Sequence, residues 1–152
     1  MTSITPFLWF DDNAEEAITF YSNLFPDARV YDENRARDGS LFYATFDLAG
    51  QRFMAMNAGP HFHFTEAISM FVSVADQAEV DRYWHALTAD GGEESQCGWL
   101  KDRFGLSWQI IPEALMRLQA DPDREAAGRV TQAMLGMRKI IVADLEAAFA
   151  AV

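Results

Sequence analysis

The chain has 152 residues, half of them hydrophobic and 13% aromatic, which is enough for one packed domain with a sizeable core and excludes a disordered chain. Its formal net charge of −11 argues against a nucleic-acid backbone or an anionic membrane surface as partner, because both would repel it. A single cysteine, Cys97, rules out a disulfide framework within the chain and suits a reducing compartment.

Met1 to Phe10 lacks a basic start and a long apolar stretch before Asp11-Asp12, so no secretory leader is expected. No run approaches the roughly 20 apolar residues of a membrane span, and the expected location is cytoplasmic. Ile4 to Phe10 is a short apolar and aromatic run that predicts a buried strand. Asn13 with Glu16 three residues later has the form of a capping box, and Ala14, Ala17, Ile18, Tyr21, Leu24 and Phe25 follow at helical spacing up to Pro26-Asp27. Three strand-like runs come next: Ala28 to Asn34, Leu41 to Leu48, and Gln51 to Asn57. A polar turn with Asp38-Gly39 separates the first two, and Ala49-Gly50 makes a hairpin of the last two.

The order then restarts. Ile68 to Val74 reads as a strand, Asp76 with Glu79 as a second capping box, and Val80, Tyr83, Trp84 and Leu87 as a helical stripe ended by Gly91-Gly92. Short strands are predicted at Glu93 to Cys97, Gly98 to Lys101 and Leu106 to Ile111. At a shift of 64 residues Phe7 falls on Phe71, Leu8 on Val72, Asp12 on Asp76 and Ala14 on Ala78. A twofold repeat of this length predicts one pseudo-symmetric α+β domain. Its two βαβββ modules, 1–60 and 61–112, form a cup-shaped mixed sheet around a small-molecule cavity. The remainder, 113–152, reads as a helical tail. Asp121-Pro122 is its expected helix start, and two apolar stripes follow: Val130, Ala133, Met134 and Met137, then Ile140, Ile141, Leu145, Ala148 and Phe149. Those stripes must cover the outer sheet or a second subunit, and a homodimer is expected.

Several motifs point to one family. Ile4-Thr5-Pro6-Phe7-Leu8-Trp9-Phe10-Asp11, Ala14-Glu15-Glu16-Ala17, Phe20-Tyr21 and Leu24-Phe25-Pro26 resemble the opening of the PhnB-like family. So do Phe53-Met54-Ala55-Met56-Asn57, Phe64-Thr65-Glu66-Ala67-Ile68-Ser69, Gln96-Cys97-Gly98-Trp99-Leu100, and Asp102 with Gly105 and Ser107-Trp108-Gln109-Ile110. The tail is similar at Asp121-Pro122-Asp123 and Gln132-Ala133-Met134-Leu135. That family often carries the label 3-demethylubiquinone-9 3-methyltransferase. It belongs to the vicinal-oxygen-chelate superfamily, with glyoxalase I, extradiol dioxygenases and bleomycin-resistance proteins, whose fold is βαβββ twice.

The resemblance implies where a metal would sit. Metal-dependent members of the superfamily draw ligands, usually His and Glu, from the first and last strand of each half. The corresponding places here are Ile4 or Thr5, Met54 to Met56, Ser69 and Gln109, and none holds a His or a carboxylate. Serine, methionine and glutamine suit a divalent ion poorly. The expectation is therefore no metal and no cofactor. The methyltransferase label finds no support either, since no glycine-rich loop joins a strand to a helix, and Gly91-Gly92 follows a helix instead.

Strand alternation, anchored on Ser69 and Gln109 pointing inward, places Phe71, Ser73, Ser107 and Ile111 inward as well, and the repeat adds Thr5, Phe7 and Trp9. Met54, Met56, Asn57 and Trp99, which lie in the shared motifs, complete the expected lining. His61 and His63 read as exposed loop residues, His85 as a surface residue on a helix, Cys97 as an inert thiol, and Asp102 as a turn-fixing carboxylate. No catalytic residue is assigned. The favoured function is metal-independent binding of a small, partly apolar molecule. A glyoxalase- or dioxygenase-type enzyme with a remodelled metal site is the alternative, and the methyltransferase is disfavoured.

Overall fold

The first strand, β1 (Phe7–Phe10), alternates as its sequence demands: Leu8 and Phe10 are buried while Phe7 stays exposed. In the computed structural model, which describes Met1–Val152, it is followed by α1 (Ala14–Leu24), which buries Ala14, Ala17, Ile18 and Tyr21. Then come β2 (Arg29–Arg35), β3 (Leu41–Leu48) and β4 (Gln51–Asn57), arranged in one sheet in the order β1-β4-β3-β2. β1 runs parallel to β4 and the other pairs are antiparallel. Ala49 and Gly50 both have positive φ, 49° and 83°, the backbone of a two-residue hairpin turn that matches the strand twist.

The second module repeats this plan with β5 (Met70–Val74), α2 (Gln77–Thr88), β6 (Glu93–Glu94), β7 (Trp99–Lys101) and β8 (Ser107–Pro112), in the order β5-β8-β7-β6. The repeat extends to register. Phe7 lies opposite Met54 as Phe71 lies opposite Gln109, so Met54 is the counterpart of Gln109, and Met56 of Ile111. The α+β class and the two βαβββ modules are as predicted, and the chain divides into two compact units, Met1–Phe64 and Thr65–Val152.

Two helix starts differ from expectation. Asn13 makes no side-chain cap. The Ala14 amide instead donates to Asn57 Oδ1 at 2.8 Å, and Asn57 Nδ2 donates to the Leu41 carbonyl at 3.1 Å, so β4 supplies the cap from across the module. In α2 the local signal holds, with Asp76 Oδ1 accepting from the Glu79 amide at 3.0 Å. Asp121 is likewise displaced by Asp123, whose carboxylate accepts from the Ala126 amide, while Asp121 closes a turn by accepting from the Asp123 amide.

The tail forms α3 (Glu113–Gln119), α4 (Arg124–Leu135) and α5 (Val142–Ala150). Its buried side chains Leu115, Leu118, Val130, Ile140 and Leu145 pack with Ile111 of β8 in one cluster, edged by Met134, Met137 and Phe149. The tail therefore covers the end of its own module's sheet, on the side away from Ile110. Full burial of each aliphatic side chain contributes about 1.5–3 kcal/mol. Polar anchors fix the docking. The Cys97 and Gly98 amides donate to the Met137 and Arg138 carbonyls, Gln77 binds both the Ile140 carbonyl and the Val142 amide, and Lys139 pairs with Asp81 at 2.8 Å. Arg129 closes the far end by donating to the Ala148 and Phe149 carbonyls of α5.

Candidate functional site

In the first module the helix-facing side of the sheet is filled by Leu8, Phe10, Ala44, Phe46, Leu48, Phe53 and Ala55, all buried. Alternation leaves the opposite, open face to the intervening residues. Register arranges them in rows: Trp9, Met56, Tyr43 and Asn34; then Phe7, Met54, Thr45 and Asp32; then Arg52, Asp47 and Arg29. Phe7 is 49% exposed, and Trp9, Met54, Met56, Tyr43 and Thr45 are half-buried. Trp9 Nε1 donates to the Gly59 carbonyl at 2.9 Å, and the Phe62 ring meets the Trp9 ring edge-on at 4.9 Å. An aromatic and thioether surface beside a polar row is the usual composition of a small-molecule site.

The polar row is organised around a bulge. Pairing of β2 with β3 slips between Val30 and Asp32, leaving Tyr31 as the extra residue. The Tyr31 hydroxyl donates to Asp47 Oδ2 at 2.7 Å, and Arg52 Nε donates to Asp47 Oδ1 at 2.9 Å. Together the Arg52 guanidinium and then the Tyr31 hydroxyl hold the Asp47 carboxyl below the usual aspartate range. The guanidinium carbons of Arg52 and Arg29 lie 4.1 and 4.5 Å from the Tyr31 ring centre.

In the second module the open face carries Phe71, 50% exposed, with Gln109 and Trp99 opposite it in register, and Ser73 beside Ile111. Gln109 Nε2 donates to Ser69 Oγ at 2.9 Å, so the two predicted polar residues satisfy each other. Lys101 pairs with Glu66, which raises the lysine and lowers the carboxyl from their ordinary values.

The predicted residues divide by role. Phe7, Trp9, Met54 and Met56 are brought together on one face, and Phe71, Trp99, Ser69 and Gln109 on the other. Thr5 lies half-buried just before β1. Asn57 is committed to the fold by its two hydrogen bonds. Ser107 is fully buried and its hydroxyl has no partner. Ile111, expected to line the cavity, instead belongs to the tail cluster, because the tail supplies the apolar cover that the isolated strand pattern leaves open. His61, His63 and His85 are exposed. Asp102 is 2% exposed and accepts from the Phe104 and Leu106 amides and from Trp108 Nε1, the turn-fixing role its position predicts. Sequence reasoning missed Tyr43, Thr45, Arg29, Tyr31 and Arg52. Alternation in Leu41–Leu48 contained the signal for the first two.

The superfamily implies a divalent metal, and the donor set here does not fit one. Ser69 and Gln109 are neutral and bonded to each other. Met54, the register counterpart of Gln109, offers a thioether. No three His, Cys, Asp or Glu side chains converge anywhere in the chain. Gly91 and Gly92 have a structural explanation of their own. Gly91 adopts φ +109°, and a Cβ on Gly92 would stand 2.5 Å from the Leu87 carbonyl oxygen.

Comparison with known proteins places these features. A family model described as 3-demethylubiquinone-9 3-methyltransferase matches residues 2–111, stopping short of the tail. A PhnB protein from Bacillus cereus, carrying the same methyltransferase description, is 32% identical with a TM-score of 0.68, over 73% of this chain and 99% of that one. Protein PA1353 from Pseudomonas aeruginosa is 22% identical with a TM-score of 0.62, over 74% and 98%. The fosfomycin resistance protein FosX from Listeria monocytogenes, solved with Mn(II) and sulfate, is 19% identical with a TM-score of 0.54, over 72% and 91%, a likeness of fold. No protein of curated function matches.

Proposed function

The chain belongs to the PhnB-like family, described as 3-demethylubiquinone-9 3-methyltransferase, within the vicinal-oxygen-chelate superfamily, and from that premise we propose that it binds a small, partly apolar molecule against the open face of one of its sheets, without a divalent metal. The observation that carries this reading is the set of aromatic and thioether side chains left uncovered where the sheets face away from their helices. Phe7 and Phe71 are each about half exposed, at the same place in the two modules. Large apolar side chains grouped on a sheet face mark a surface that something covers. The polar groups among them, Ser69 with Gln109 and Thr45, offer the few directional contacts a ligand needs for orientation. The neutral character of Ser69 and Gln109, and of the Met54 thioether at the register counterpart of Gln109, supports binding over metal chemistry, since none supplies the imidazole or carboxylate a divalent ion prefers.

No helix is long and apolar enough to cross a membrane. The reading is of a cytoplasmic homodimer, which sedimentation of the full chain tests. The ligand reading is tested with the neutral fluorescent probe N-phenyl-1-naphthylamine. Wild-type protein should bind it, and Phe7→Asp or Phe71→Asp, whichever alters the occupied face, should weaken binding about tenfold or more. Unchanged affinity in both variants refutes the proposal. Stoichiometric zinc, nickel or iron in purified protein that is lost in Gln109→Ala refutes its metal-free part and points to the enzyme alternative. Tight binding of S-adenosylmethionine by calorimetry would restore the methyltransferase description.

A further inference from the structure

The cations of this chain are few among many anions: 12 lysines and arginines against 23 aspartates and glutamates. Most of them are engaged with oxygen. Arg35 donates to Glu15, Glu33 and the Gly39 carbonyl, Arg52 to Asp47, and Arg124 and Arg129 to backbone carbonyls. Lys101 and Lys139 pair with Glu66 and Asp81. Arg29 is different. It stands directly opposite Asp47 in register, yet both Asp47 oxygens are hydrogen-bonded by Tyr31 and Arg52, so Arg29 acts on that carboxylate through its charge alone and its guanidinium packs on the Tyr31 ring. Its N–H groups are therefore free while its plane is held by an aromatic surface, a guanidinium ordered before any ligand arrives.

Its position gives this consequence. Arg29 lies on the same open face as the apolar rows, next along the strands from the row containing Phe7, Met54 and Thr45. The Tyr31 bulge that holds Arg29 interrupts the ladder, a departure from regular pairing that re-aims side chains beside binding sites. We infer that Arg29 is the oxyanion-recognising residue of the open-face site, so that the molecule bound there is a small apolar acid with its carboxylate or phosphonate-type oxygens on the Arg29 fork. The inference rests on the open-face reading above and narrows its ligand class. Asp32, on the same face and opposite Thr45, sets a limit on charge, since it disfavours a second anionic group near Met54. Planar guanidinium geometry accepts two oxygens side by side, which suits both acid types.

Two probes with the same aromatic body test it: N-phenyl-1-naphthylamine, which is neutral, and 1-anilinonaphthalene-8-sulfonate, which adds one oxyanion. Arg29→Gln, on an exposed edge strand, should weaken the sulfonate about tenfold and leave the neutral probe within about twofold. Arg29→Lys should recover part of the loss. Benzoate and phenylphosphonate should displace the sulfonate from wild type, and the stronger competitor identifies the acid. Equal effects of Arg29→Gln on both probes, or displacement by neither acid, overturn the inference while leaving the open-face reading intact. Failure of the neutral probe to bind wild type overturns that reading and this inference with it.

Discussion

The two modules share strand order and register but finish their open faces differently. In the first, the row of Trp9, Met56 and Tyr43 is half-buried, with the Phe62 ring edge-on to Trp9. In the second, the matching place is Ser73 with Ile111, and the tail packs on Ile111 with Ile140 and Leu145. The same plan thus leaves one row of aromatic and thioether side chains half-buried and closes part of the other with core. The family model ends at residue 111, so the closing element lies outside what it describes. Open apolar positions in such a repeat are not equivalent by symmetry, and what covers each has to be established separately.

The sharpest way to break the difference is at Gly98. Its register counterpart in the first module, Ala44, is 1% exposed and tolerates its Cβ. Gly98 adopts φ +84°, and a Cβ there would lie 2.8 Å from Ile111 Cδ1 and 3.1 Å from Ile140 Cγ1. Gly98→Ala should cost about 2–4 kcal/mol in urea unfolding, from backbone strain and overpacking together. The helix starts give the next contrast. Asn57→Ala removes a long-range cap and the bond to Leu41, and should cost about 1–3 kcal/mol, whereas Asp76→Ala removes one local cap and should cost about 1 kcal/mol.

A smaller effect is expected at the tail anchor. Lys139, then Gln77, hold the Asp81 carboxyl below its ordinary value. A lowered carboxylate stabilises the fold above its unfolded-state pKa and loses that contribution as pH falls through the folded value. Asp81→Asn should therefore be less stable than wild type by about 0.5 kcal/mol near neutral pH, and the gap should vanish below the usual aspartate range. Smallest of all, Ser107→Ala should leave stability within about 0.5 kcal/mol of wild type or raise it, because the buried hydroxyl has no partner to lose. A loss above 1 kcal/mol would show that Ser107 is bonded after all.

How far the sequence carried these features depends on the range of the forces behind them. Leu41–Leu48 and Gln51–Asn57 were legible to the residue, because alternation and the Ala49-Gly50 turn are local. The Asp76 cap was legible for the same reason. Asn13 misled because its task is done by Asn57, 43 positions beyond Ala14 in sequence. Phe71 could be placed on a face from strand alternation anchored on Ser69, Phe7 from the repeat, and Met54 and Gln109 from the family resemblance. The Arg29, Tyr31 and Arg52 group could not, since it depends on a slipped register in β2 that no periodicity announces. The cover on Ile111 was equally hidden, because the tail stripes show that they need a partner without saying which.

Gly98 links two things in time as well as in space. Its amide donates to the Arg138 carbonyl while its own carbonyl accepts from the Ile110 amide, so one residue joins the tail to the inner strand β8 of its sheet. Hydrogen exchange at the Cys97 and Gly98 amides therefore reports tail undocking, while exchange at Ile110 reports opening of the sheet itself. The ratio of those two rates is a clock for whether the tail leaves its module before the module unfolds.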